Sequence, residues 1–414
     1  MKILSVVGAR PNFMKVAPIL AAIDEHNRKL STSLSDGRED SPEYIQHLLL
    51  HTGQHYGELM SDSFFNDLKL PKPDVHMGVS SGSHAAQSAE IMRRFEETLL
   101  AERPDIVVVV GDVNSTLACA LVAAKISFDS SGSRPLIAHV ESGLRSFDKS
   151  MPEEINRILT DHVADLLFVT EESAIKNLLN EGISADQIHF VGNTMIDSLL
   201  AFQTNADSST KLEKLGFRPR TGENVRNPGV IRYALLTLHR PANVDNPQAF
   251  REILAGLEEL AAQCPIVFPV HPRTRKRIKE FGLKLPLGKS SGEYRSYGHP
   301  SCGIVLKEPL GYLDFICLMK HAAIVVTDSG GIQEETTCLG VPCVTVRDNT
   351  ERPVTVEKGT NIIAGTTKEG IKLAIRRQLR GTNKVGVPQH WDGHAAARII
   401  EVLSRLRQLR PVRV

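Results

Sequence analysis

The fold of this chain is decided by one stretch, Ile324-Val-Val-Thr-Asp-Ser-Gly-Gly-Ile-Gln-Glu-Glu-Thr-Thr-Cys-Leu-Gly-Val-Pro342. Ile324 to Thr327 is a short apolar, β-branched run, which predicts a buried strand. Asp328 to Gly331 predicts a tight loop after it. Gln333 to Leu339 then predicts a helix that ends at Gly340 as its C-cap. The order of strand, glycine turn and helix is typical of a parallel α/β fold.

The glycine turn of this stretch has the geometry of an anion site. Free backbone N–H groups and the positive end of the helix dipole face one point, which most often binds a phosphate. Ser329, Gly330 and Gly331 are therefore candidate phosphate-binding residues. Glu335 lies about one turn inside the helix, where its carboxylate can accept both hydroxyls of a ribose. An ordinary βα turn with a solvated glutamate is the alternative, and the stretch alone leaves both open.

The amino-terminal end has a similar design. Ile3 to Val7 predicts the first strand, a Gly-Ala-Arg-Pro-Asn loop follows, and a helix is predicted from about Phe13 to Ile23. Arg10 stands at the carboxyl end of the strand, the edge at which open α/β sheets bind ligands. Lys15 lies in the first turn of the helix, where a cation opposes the helix dipole and so indicates an anion nearby. A solvated lysine is the alternative.

Three carboxylates of the first half are candidate functional groups. Asp112 follows the Ile/Val run from Asp105 to Val110, which is typical of a central parallel strand buried on both faces. Glu141 ends the next predicted strand and is a candidate acid or base. Glu154 lies in the first turn of a helix that a proline opens, where acids stabilise the helix in any case. A turn residue or a solvated charge is the alternative interpretation of each.

The second half of the chain alternates strand and helix again. Gln203 to Gly229 is polar and rich in Asn, Ser, Pro and Gly, so we interpret it as the interdomain region. Tyr233 to Leu238 then predicts a strand. Its loop begins His239-Arg-Pro and so repeats the Arg-Pro design of the loop after the first strand.

These elements predict an α/β protein with two Rossmann-like domains that face each other across a cleft. The amino-terminal domain is predicted over 1–200 and is completed by a carboxyl-terminal helix at 392–410. The second domain is predicted over 201–391. Because the candidate groups follow the carboxyl ends of strands, we expect them to converge in one crevice.

Length and composition exclude several classes of protein. At 414 residues the chain is too long for one ordinary domain. Its formal net charge is +1 without a long basic or acidic block, which argues against nucleic acid as a partner. It has no apolar run of about 18 residues and starts directly with a strand, so neither a membrane partner nor a signal peptide is expected. The six cysteines show no C-x-x-C pair, which predicts free thiols and a cytoplasmic protein.

The two halves offer complementary chemistry. The second half offers a glycine turn for phosphate, a glutamate for ribose and Arg352 for charge, while the first offers three carboxylates and Arg10. This division suits a nucleotide-activated sugar, with the nucleotide on one domain and the sugar on the other. No G-x-G-x-x-G follows the first strand, and no His/Cys/Asp cluster has metal spacing. The sequence therefore predicts no cofactor and no metal.

Over nearly its whole length the chain resembles the non-hydrolysing UDP-N-acetylglucosamine 2-epimerases of bacteria and archaea, which have a two-domain, glycosyltransferase-B-like fold. The resemblance rests on an ordered series of motifs. They are Gly8-Ala-Arg-Pro11, Thr52-Gly-Gln-His55, Gly111-Asp112, His139-Val-Glu-Ser-Gly-Leu-Arg145, Pro152-Glu-Glu-Ile-Asn-Arg157, Gly192-Asn-Thr194, Leu238-His-Arg-Pro241, Asp328-Ser-Gly-Gly-Ile-Gln-Glu-Glu335 and Thr350-Glu-Arg-Pro353.

The resemblance implies an isomerase that interconverts UDP-N-acetylglucosamine and UDP-N-acetylmannosamine for surface polysaccharide synthesis. It implies that UDP is eliminated to leave 2-acetamidoglucal and is then added back. The implied UDP-binding residues are Arg10, Lys15, His239, Phe315, Ser329, Gly330, Gly331, Glu335 and Arg352. The implied catalytic residues are Asp112, Glu141, Glu154 and His239. A homodimer is also implied.

The chain departs from those members that their own substrate activates. Gln54 is kept, but Gly57 replaces the second Gln of the pattern T-x-Q-H-x-x-Q, and Ala85-Ala86 stand near the expected Arg-Gln pair. His271-Pro-Arg-Thr also differs from His-x-Asn-Pro. These departures argue against allosteric activation by UDP-N-acetylglucosamine. Three insertions have no counterpart in the family, at 27–42, 206–230 and 284–303.

Four other functions fit parts of the pattern. The substrate can be a modified UDP-sugar such as a 2,3-diacetamido uronic acid. A hydrolysing epimerase would release free N-acetylmannosamine and UDP. A glycosyltransferase on the same scaffold would need an acceptor and would exchange no hydrogen at C2. A UDP-sugar-binding regulator would bind without turnover, and the presence of three carboxylates argues against it.

Overall fold

A computed structural model describes residues 1–33, 43–54, 68, 70–80, 82–217, 233–285, 302–381 and 386–409. The chain divides into two compact units. Unit 1 contains Met1–Ala201 and Gln389–Val414, and unit 2 contains Phe202–Pro388.

Unit 1 is an alternation of strands and helices. Its elements are β1 (Lys2–Val7), α1 (Arg10–Ser33), β2 (Gln46–His51), β3 (Val75–His76), α2 (His84–Glu102), β4 (Ile106–Val110), α3 (Asn114–Lys125), β5 (Leu136–Ser142), α4 (Pro152–Val163), β6 (Leu166–Val169), α5 (Glu172–Asn180), a 3₁₀ turn (Ala185–Gln187), β7 (Ile188–Phe190) and α6 (Thr194–Asp207). The unit boundary falls inside α6.

The strands of unit 1 form a parallel sheet in the order β3-β2-β1-β4-β5-β6-β7. The order reverses between β1 and β4, which are hydrogen-bonded neighbours. In open parallel sheets, ligands bind beyond the carboxyl ends of the strands at such a switch point. The loops at Gly8 and Gly111 are therefore the place in this unit where a ligand site is expected.

Helices cover both faces of this sheet. On one face, α2, α3 and α5 pack onto a core that includes Phe95, Val109 and Leu178. On the other face, α1 packs with the carboxyl-terminal helix α16 (Ala395–Leu409) on a core that includes Ile19, Phe168 and Ile399. The nearly all-apolar β4 is fully buried because it lies between these two cores.

Unit 2 repeats the same architecture. Its remaining elements are α7 (Lys211–Lys214), β8 (Ala234–Thr237), α8 (Pro241–Val244), α9 (Pro247–Gly256), α10 (Glu258–Gln263), β9 (Pro265–Pro269), α11 (Pro272–Glu280), β10 (Gly303–Lys307), α12 (Tyr312–His321), β11 (Ile324–Thr327), α13 (Gly330–Leu339), β12 (Cys343–Thr345), α14 (Val354–Glu357), β13 (Asn361–Ile363) and α15 (Lys368–Leu379).

The sheet of unit 2 is also parallel, in the order β10-β9-β8-β11-β12-β13. Its order reverses between β8 and β11, so its switch point lies at His239 and at the Asp328–Gly331 loop. One face carries a core built from α9, α10, α11 and α15. The stretch from Ile324 to Gly340 is confirmed as strand, turn and helix, with Gly340 in the left-handed region at φ 65°.

The predicted insertions are only partly loops. Residues 27–33 continue α1, because the Asn27 side chain pairs with both the N–H and the C=O of Ile45 and holds the polar end of the helix against the start of β2. The start of the second insertion belongs to α6 and α7, and Gly303 begins β10. Residues 34–42, 218–232 and 286–301 lie outside the described part of the chain.

Candidate active site

At the switch point of unit 1, the loop after β1 packs closely against the amino terminus of α3. A Cβ atom on Gly8 would lie 2.1 Å from the Ser115 Oγ, so only glycine fits there. Asn12 organises the loop after β1, since its Oδ1 accepts from the N–H groups of Gly8 and Ala9, at 3.0 Å each. Its Nδ2 donates to the Val110 carbonyl at 2.8 Å and so ties this loop to the end of β4.

Lys15 and Glu141 form a buried ion pair beside Gly111. The Lys15 Nζ lies 2.7 Å from the Glu141 Oε1, and both side chains are 4% exposed. A Cβ atom on Gly111 would lie 2.5 Å from that Nζ, so the ammonium group packs directly against the Gly111 backbone. The anion that the position of Lys15 predicts is therefore, in this structure, the Glu141 carboxylate.

Glu141 has a strained backbone. Its φ is +70°, and the register of β5 against β6 shifts between Val140 and Ser142, which marks a bulge at this residue. The left-handed region is costly for a residue with a side chain, roughly 1–3 kcal/mol, and such strain clusters at functional sites. The bulge turns the Glu141 carboxylate toward Lys15 at the carboxyl end of the sheet.

Asp112 lies at the centre of a network that reaches into α4. Arg157 Nη1 pairs with the Asp112 carboxylate, whose side chain is 22% exposed. Asn156 Nδ2 donates to the Asp112 carbonyl at 2.9 Å. Two consecutive residues of α4 therefore hold both the side chain and the backbone of Asp112.

The Glu154 carboxylate accepts several hydrogen bonds from other residues of the chain. Its carboxylate accepts from the Ser146 N–H at 3.0 Å, the Phe147 N–H at 2.8 Å and the Arg157 Nη2 at 2.6 Å. Burial raises the pKa of Glu154, but these donors outweigh burial and hold the pKa below its ordinary value. The carboxylate is therefore charged, and it ties the loop before α4 to Arg157.

A second buried network holds the peptide group that precedes Asp112. His139 lies on β5 and is fully buried. Its Nε2 is 2.8 Å from the Gly111 carbonyl oxygen and its Nδ1 is 2.6 Å from Asp161. Asp161 also pairs with Arg145 at 2.7 Å. Burial raises the pKa of Asp161, but His139 and Arg145 together hold it below the ordinary value.

At the switch point of unit 2, His239 contacts the buried carboxylate of Asp328. Asp328 is fully buried and accepts from the backbone N–H groups of His239 and Arg240 and from the Asn243 side chain. The His239 Nδ1 lies 2.9 Å from the Asp328 Oδ1, while the imidazole is 57% exposed. Burial raises the pKa of Asp328, but His239 and these donors hold it below the ordinary value. The pair resembles the base-and-orienter arrangement of general acid–base sites.

The amino terminus of α13 offers backbone donors next to guanidinium groups. Ser329 is the N-cap residue, and its side chain makes no capping hydrogen bond. A Cβ atom on Gly330 would lie 2.5 Å from the Arg352 Nη1, so Arg352 packs directly against the helix start. Gly331 is the next residue of this first turn, so the helix begins within the segment that the sequence predicts as a tight loop. Helix dipole and guanidinium charge reinforce each other here, which favours an anion.

Arg352 belongs to a buried cluster with an excess of positive charge. Arg352 pairs with Glu351 at 2.6 Å and with Glu334 at 2.9 Å, and Arg347 pairs with Glu351 at 2.8 Å. Arg240 approaches Glu351 to 3.4 Å. Three guanidinium groups therefore face two carboxylates. Burial raises the pKa of Glu351, but the neighbouring arginines hold it well below its ordinary value.

Glu335 and Phe315 lie on helices at this end of unit 2. The Glu335 carboxylate is buried and accepts a hydrogen bond from the Tyr312 hydroxyl at 3.1 Å. Burial and the nearby Glu335 charge raise the pKa of Tyr312 well above its ordinary value, so the phenol is a donor. Phe315 follows on the same helix and is half-buried.

The structure divides the predicted site residues between the units. Unit 1 holds Arg10, Lys15, Asp112, Glu141 and Glu154, of which Lys15 with Glu141 and Asp112 with Glu154 share networks. Unit 2 holds His239, Phe315, Ser329, Gly330, Gly331, Glu335 and Arg352. Arg10 is half-buried at the first position of α1.

Sequence reasoning did not single out several residues that organise these networks. Arg157 was detectable, because Glu154 and Arg157 stand at i,i+3 on a helix. Asp161, Tyr312 and Glu351 were not, because their partners lie far apart in the chain or at no diagnostic spacing. Asp328 was assigned to a turn, whereas its carboxylate holds His239 from across the sheet.

The motif at 52–55 is described only as far as Gln54. The Gln54 Oε1 accepts from the Ser115 N–H at 3.0 Å and from the Ser115 Oγ at 2.7 Å, and so binds the amino terminus of α3. Ala85 and Ala86 lie exposed in the first turn of α2. His55 and Gly57 lie outside the described residues.

Among the described residues, no group of three or more His, Cys, Asp or Glu side chains is placed to hold a metal ion. Within the same ranges, no helix has the length and apolar character needed to span a membrane.

Comparison with known proteins gives one consistent family. The family model described as UDP-N-acetylglucosamine 2-epimerase matches residues 39–404. The UDP-N-acetylglucosamine 2-epimerase of Methanocaldococcus jannaschii is 41% identical over 413 residues, covering 98% of this chain and 99% of that protein. The UDP-2,3-diacetamido-2,3-dideoxy-D-glucuronate 2-epimerase of Pseudomonas aeruginosa is 37% identical over 409 residues, covering 98% and 100%.

A solved structure agrees with the sequence match. The crystal structure of the Methanocaldococcus jannaschii UDP-GlcNAc 2-epimerase in complex with UDP-GlcNAc and UDP aligns with a TM-score of 0.79 at 40% identity, covering 98% of this chain and 100% of that one. The predicted fold class, two Rossmann-like α/β domains of the glycosyltransferase-B-like kind, is confirmed. With two parallel sheets, two switch-point sites and a match over nearly its full length, this chain belongs to the UDP-N-acetylglucosamine 2-epimerase family.

Proposed function

We propose that this protein interconverts UDP-N-acetylglucosamine and UDP-N-acetylmannosamine without net hydrolysis. The observation that carries the proposal is that two carboxylates, those of Asp112 and Glu141, lie at the same switch point. Asp112 directly follows Gly111, and the Lys15 ammonium that packs on Gly111 also binds Glu141. Inversion at a carbon needs a proton to leave on one face and to return on the other, so two proton-handling groups are required.

The chemistry explains why the diphosphate takes part. The proton at C2 of an N-acetyl sugar has no adjacent carbonyl, so direct abstraction is slow. When the C1–O bond breaks, UDP leaves with the bonding electrons and C2–H becomes acidic. A carboxylate then takes that proton and 2-acetamidoglucal forms. In the return step, a proton is delivered to the opposite face of C2 and the UDP oxygen bonds to C1 again.

Within unit 1, the proposal gives Asp112 and Glu141 the proton transfers. Arg157 and Lys15 hold these two carboxylates in position between turnovers. Glu154 acts through Arg157, because its own oxygens are already engaged by Ser146, Phe147 and Arg157. We therefore propose that Glu154 positions Arg157. The direct catalytic role that the resemblance implies for Glu154 stays a prediction.

Within unit 2, the proposal gives the nucleotide to the α13 side of the switch point. The Ser329 hydroxyl, the N–H groups of Gly330 and Gly331 and the Arg352 guanidinium stabilise the departing diphosphate. Glu335 accepts the ribose hydroxyls, oriented by Tyr312, and Phe315 packs against the uracil. His239, held by Asp328, supplies a further donor at the diphosphate or a proton at the sugar.

The decisive experiment incubates UDP-N-acetylglucosamine with the protein in D₂O and follows the products by NMR. We expect the C2 epimer to form with deuterium at C2 of both sugars. Asp112→Asn and Glu141→Gln should each lower the rate at least about 100-fold, since general acid–base catalysis contributes that much. Glu153→Gln is the control, because Glu153 is the exposed neighbour of Glu154.

Two outcomes would contradict the proposal. Binding of UDP-N-acetylglucosamine with no exchange at C2 would leave only a UDP-sugar-binding protein or an acceptor-dependent transferase. Accumulation of free N-acetylmannosamine in step with turnover would identify a hydrolysing enzyme.

A second candidate substrate is favoured by one relative. The Pseudomonas aeruginosa protein, at 37% identity, is named as the 2-epimerase of a UDP-2,3-diacetamido-glucuronate. The same C2 chemistry would serve that sugar. Parallel assays with both UDP-sugars decide between them through the ratio of their kcat/KM values.

We also expect the protein to act as a homodimer in a reducing compartment such as the cytoplasm. All six cysteines are free thiols. Burial raises the pKa of Cys343 to about 12, so that thiol is unreactive.

A further inference from the structure

The loop between β5 and α4 carries an exposed aromatic side chain on a strained backbone. Phe147 has φ +60°, in the left-handed region that a bulky residue rarely adopts. Phe147 is also 80% exposed, the highest exposed fraction among the large apolar residues in the described part of the chain. A single exposed apolar residue is ordinary. One that is also held in a costly backbone conformation points to a function.

The chain on both sides of Phe147 is held by contacts, so the exposure of the ring does not come from a loose loop. Before it, the Arg145 guanidinium is buried and pairs with Asp161 at 2.7 Å. After it, the Asp148 N–H donates to the Ser146 Oγ at 3.3 Å. A fixed backbone therefore presents the ring to solvent.

Glu154 connects Phe147 to the proposed proton-transfer site. Its carboxylate accepts from the Phe147 N–H at 2.8 Å and from the Arg157 Nη2 at 2.6 Å. Arg157 Nη1 in turn pairs with the Asp112 carboxylate. Each step crosses one hydrogen bond and one carboxylate or guanidinium group, so the Phe147 nitrogen lies within about 12 Å of the Asp112 carboxylate. A pyranose ring and a phenylalanine side chain together fill a distance of this size.

The chemistry of a sugar explains why an aromatic ring is useful at this place. A pyranose carries hydroxyl groups around its rim and C–H groups on its two faces, so an aromatic ring can pack flat on one face while polar groups bind the rim. Asp112, Glu141 and Arg157 are charged and suit the rim and the proton transfers. Phe147 supplies the apolar surface, and ligand sites in general combine aromatic walls with a few polar groups.

We infer that Phe147 is a substrate-contacting residue of unit 1 and that its ring packs on a face of the sugar of the bound UDP-sugar. The strained backbone directs the ring toward the sugar instead of into the core. This inference deepens the proposed function and rests on its placement of the sugar on unit 1. Its binding test requires no turnover.

The central variant is Phe147→Gly, which removes the ring and keeps the backbone conformation, since glycine adopts φ +60° without strain. The affinity for UDP-N-acetylglucosamine should fall about tenfold, because the packing of one aromatic ring contributes about that factor. The affinity for UDP, which has no hexose, should stay unchanged. Calorimetry measures both ligands in an Asp112→Asn background, which slows turnover.

Arg103→Gly is the matched control. Arg103 is exposed and has φ +44° at the C-cap of α2, before β4 begins and so at the amino edge of the sheet. Both glycine variants should unfold at the same urea concentration as the wild type or at a higher one, because each relieves backbone strain. Only Phe147→Gly should lose affinity for the UDP-sugar, so the loss cannot come from unfolding.

Two further variants separate the shape of the ring from its apolar character. Phe147→Tyr keeps the flat ring and should keep the affinity of the wild type. Phe147→Leu keeps apolar area without a flat face and should recover only part of the loss. The kcat/KM values for epimerisation should follow the same order.

Three results would overturn the inference. In the first, Phe147→Gly binds UDP-N-acetylglucosamine as tightly as the wild type. In the second, it loses affinity for UDP and for the UDP-sugar equally, which would place the ring on the nucleotide. In the third, it changes the mass in sedimentation with unchanged affinity, which would make Phe147 a contact between chains. If the wild type binds the UDP-sugar without exchange at C2, the proposed function fails while the tenfold difference in binding still supports the role of Phe147.

Discussion

At the scale of single residues, the main finding is that several buried groups bind Asp112 and the residue before it. Its carboxylate is held by Arg157, its carbonyl by Asn156, and the preceding Gly111 carbonyl by His139. Gly111 itself is at φ +69°, a conformation that suits glycine. The carbonyl groups before and after the Asp112 Cα atom are therefore both held, which is the preorganisation that the proposed role of Asp112 requires.

His139 allows a test of this positioning, because its Nε2 atom contacts the Gly111 carbonyl while its Nδ1 atom contacts Asp161. His139→Gln keeps a donor near the Nε2 position and so keeps the contact with Gly111. His139→Asn keeps a donor near the Nδ1 position and so keeps the contact with Asp161. If the Gly111 contact positions Asp112, kcat of His139→Asn should be about tenfold below that of His139→Gln, which corresponds to about 1.4 kcal/mol.

The stability of these two variants should rank in the opposite order. His139→Gln leaves buried Asp161 with one partner fewer, and uncompensated buried charge is costly. Urea unfolding should therefore find His139→Gln the less stable variant although it is the more active one. Equal kcat values, or activity that follows stability, would show that His139 has only a structural role.

At the scale of elements, helix ends in this protein are often completed by distant parts of the chain. Helix α16 is the example in unit 1. Its first N–H groups, on Ala395 and Ala396, donate to the Asp197 carboxylate at 3.2 and 2.8 Å, and Asp197 lies on α6. Burial raises the pKa of Asp197, although these donors act in the opposite direction. The cap therefore also fixes where α16 docks on unit 1.

Removal of this cap should loosen α16. Asp197→Ala should destabilise unit 1 by about 1–2 kcal/mol, the usual cost of a lost N-cap, with faster amide exchange in α16. Asp197→Asn should cost less, because an amide oxygen still accepts. Glu401→Ala is the control, since Glu401 pairs with Arg405 on the exposed side of α16 and such pairs contribute little. Unchanged exchange in α16 of Asp197→Ala would show that apolar packing alone holds the helix.

At the scale of the whole molecule, the two units carry different candidate groups. The carboxylates that we propose for proton transfer lie at the switch point of unit 1, and the backbone and guanidinium donors that we propose for the diphosphate lie at that of unit 2. The order of strands is the same around both switch points, with one strand more in unit 1. The same order of strands therefore carries different side chains at the two switch points, because the loops after the strands differ.

This division predicts where UDP stabilises the molecule. UDP at 100 times its Kd should stabilise the unit that binds it by about 2.7 kcal/mol. Hydrogen exchange should show the largest protection in α13 and in the loop at Asp328, within unit 2. Ser329→Ala, which removes the hydroxyl that makes no capping hydrogen bond at the helix start, should reduce this protection. Protection that is largest at the end of β4 would place the nucleotide on unit 1 instead.

The sequence predicted a large part of the fold for simple physical reasons. Runs such as Ile324–Thr327 and Ile106–Val110 are too apolar for anything but central strands. The glycines at 330, 331 and 340 mark the start and end of α13. The sequence predicts a loop for the polar end of α1, because this segment lacks an apolar stripe. In the structure it is helical and is held by the contacts of Asn27 with Ile45.

By itself, then, the sequence determined the two parallel α/β sheets and the family, because hydrophobic runs, glycine turns and ordered motifs are local signals. Only the tertiary structure decided which charges meet. Lys15 pairs with Glu141, and Asp328 pairs with His239. Arg157 pairs with both Glu154 and Asp112. The bulge that turns Glu141 and the polar buried side of α4 also appear only in three dimensions. Burial makes each unpaired charge costly, so the partners are set by the folded core, which no local pattern encodes.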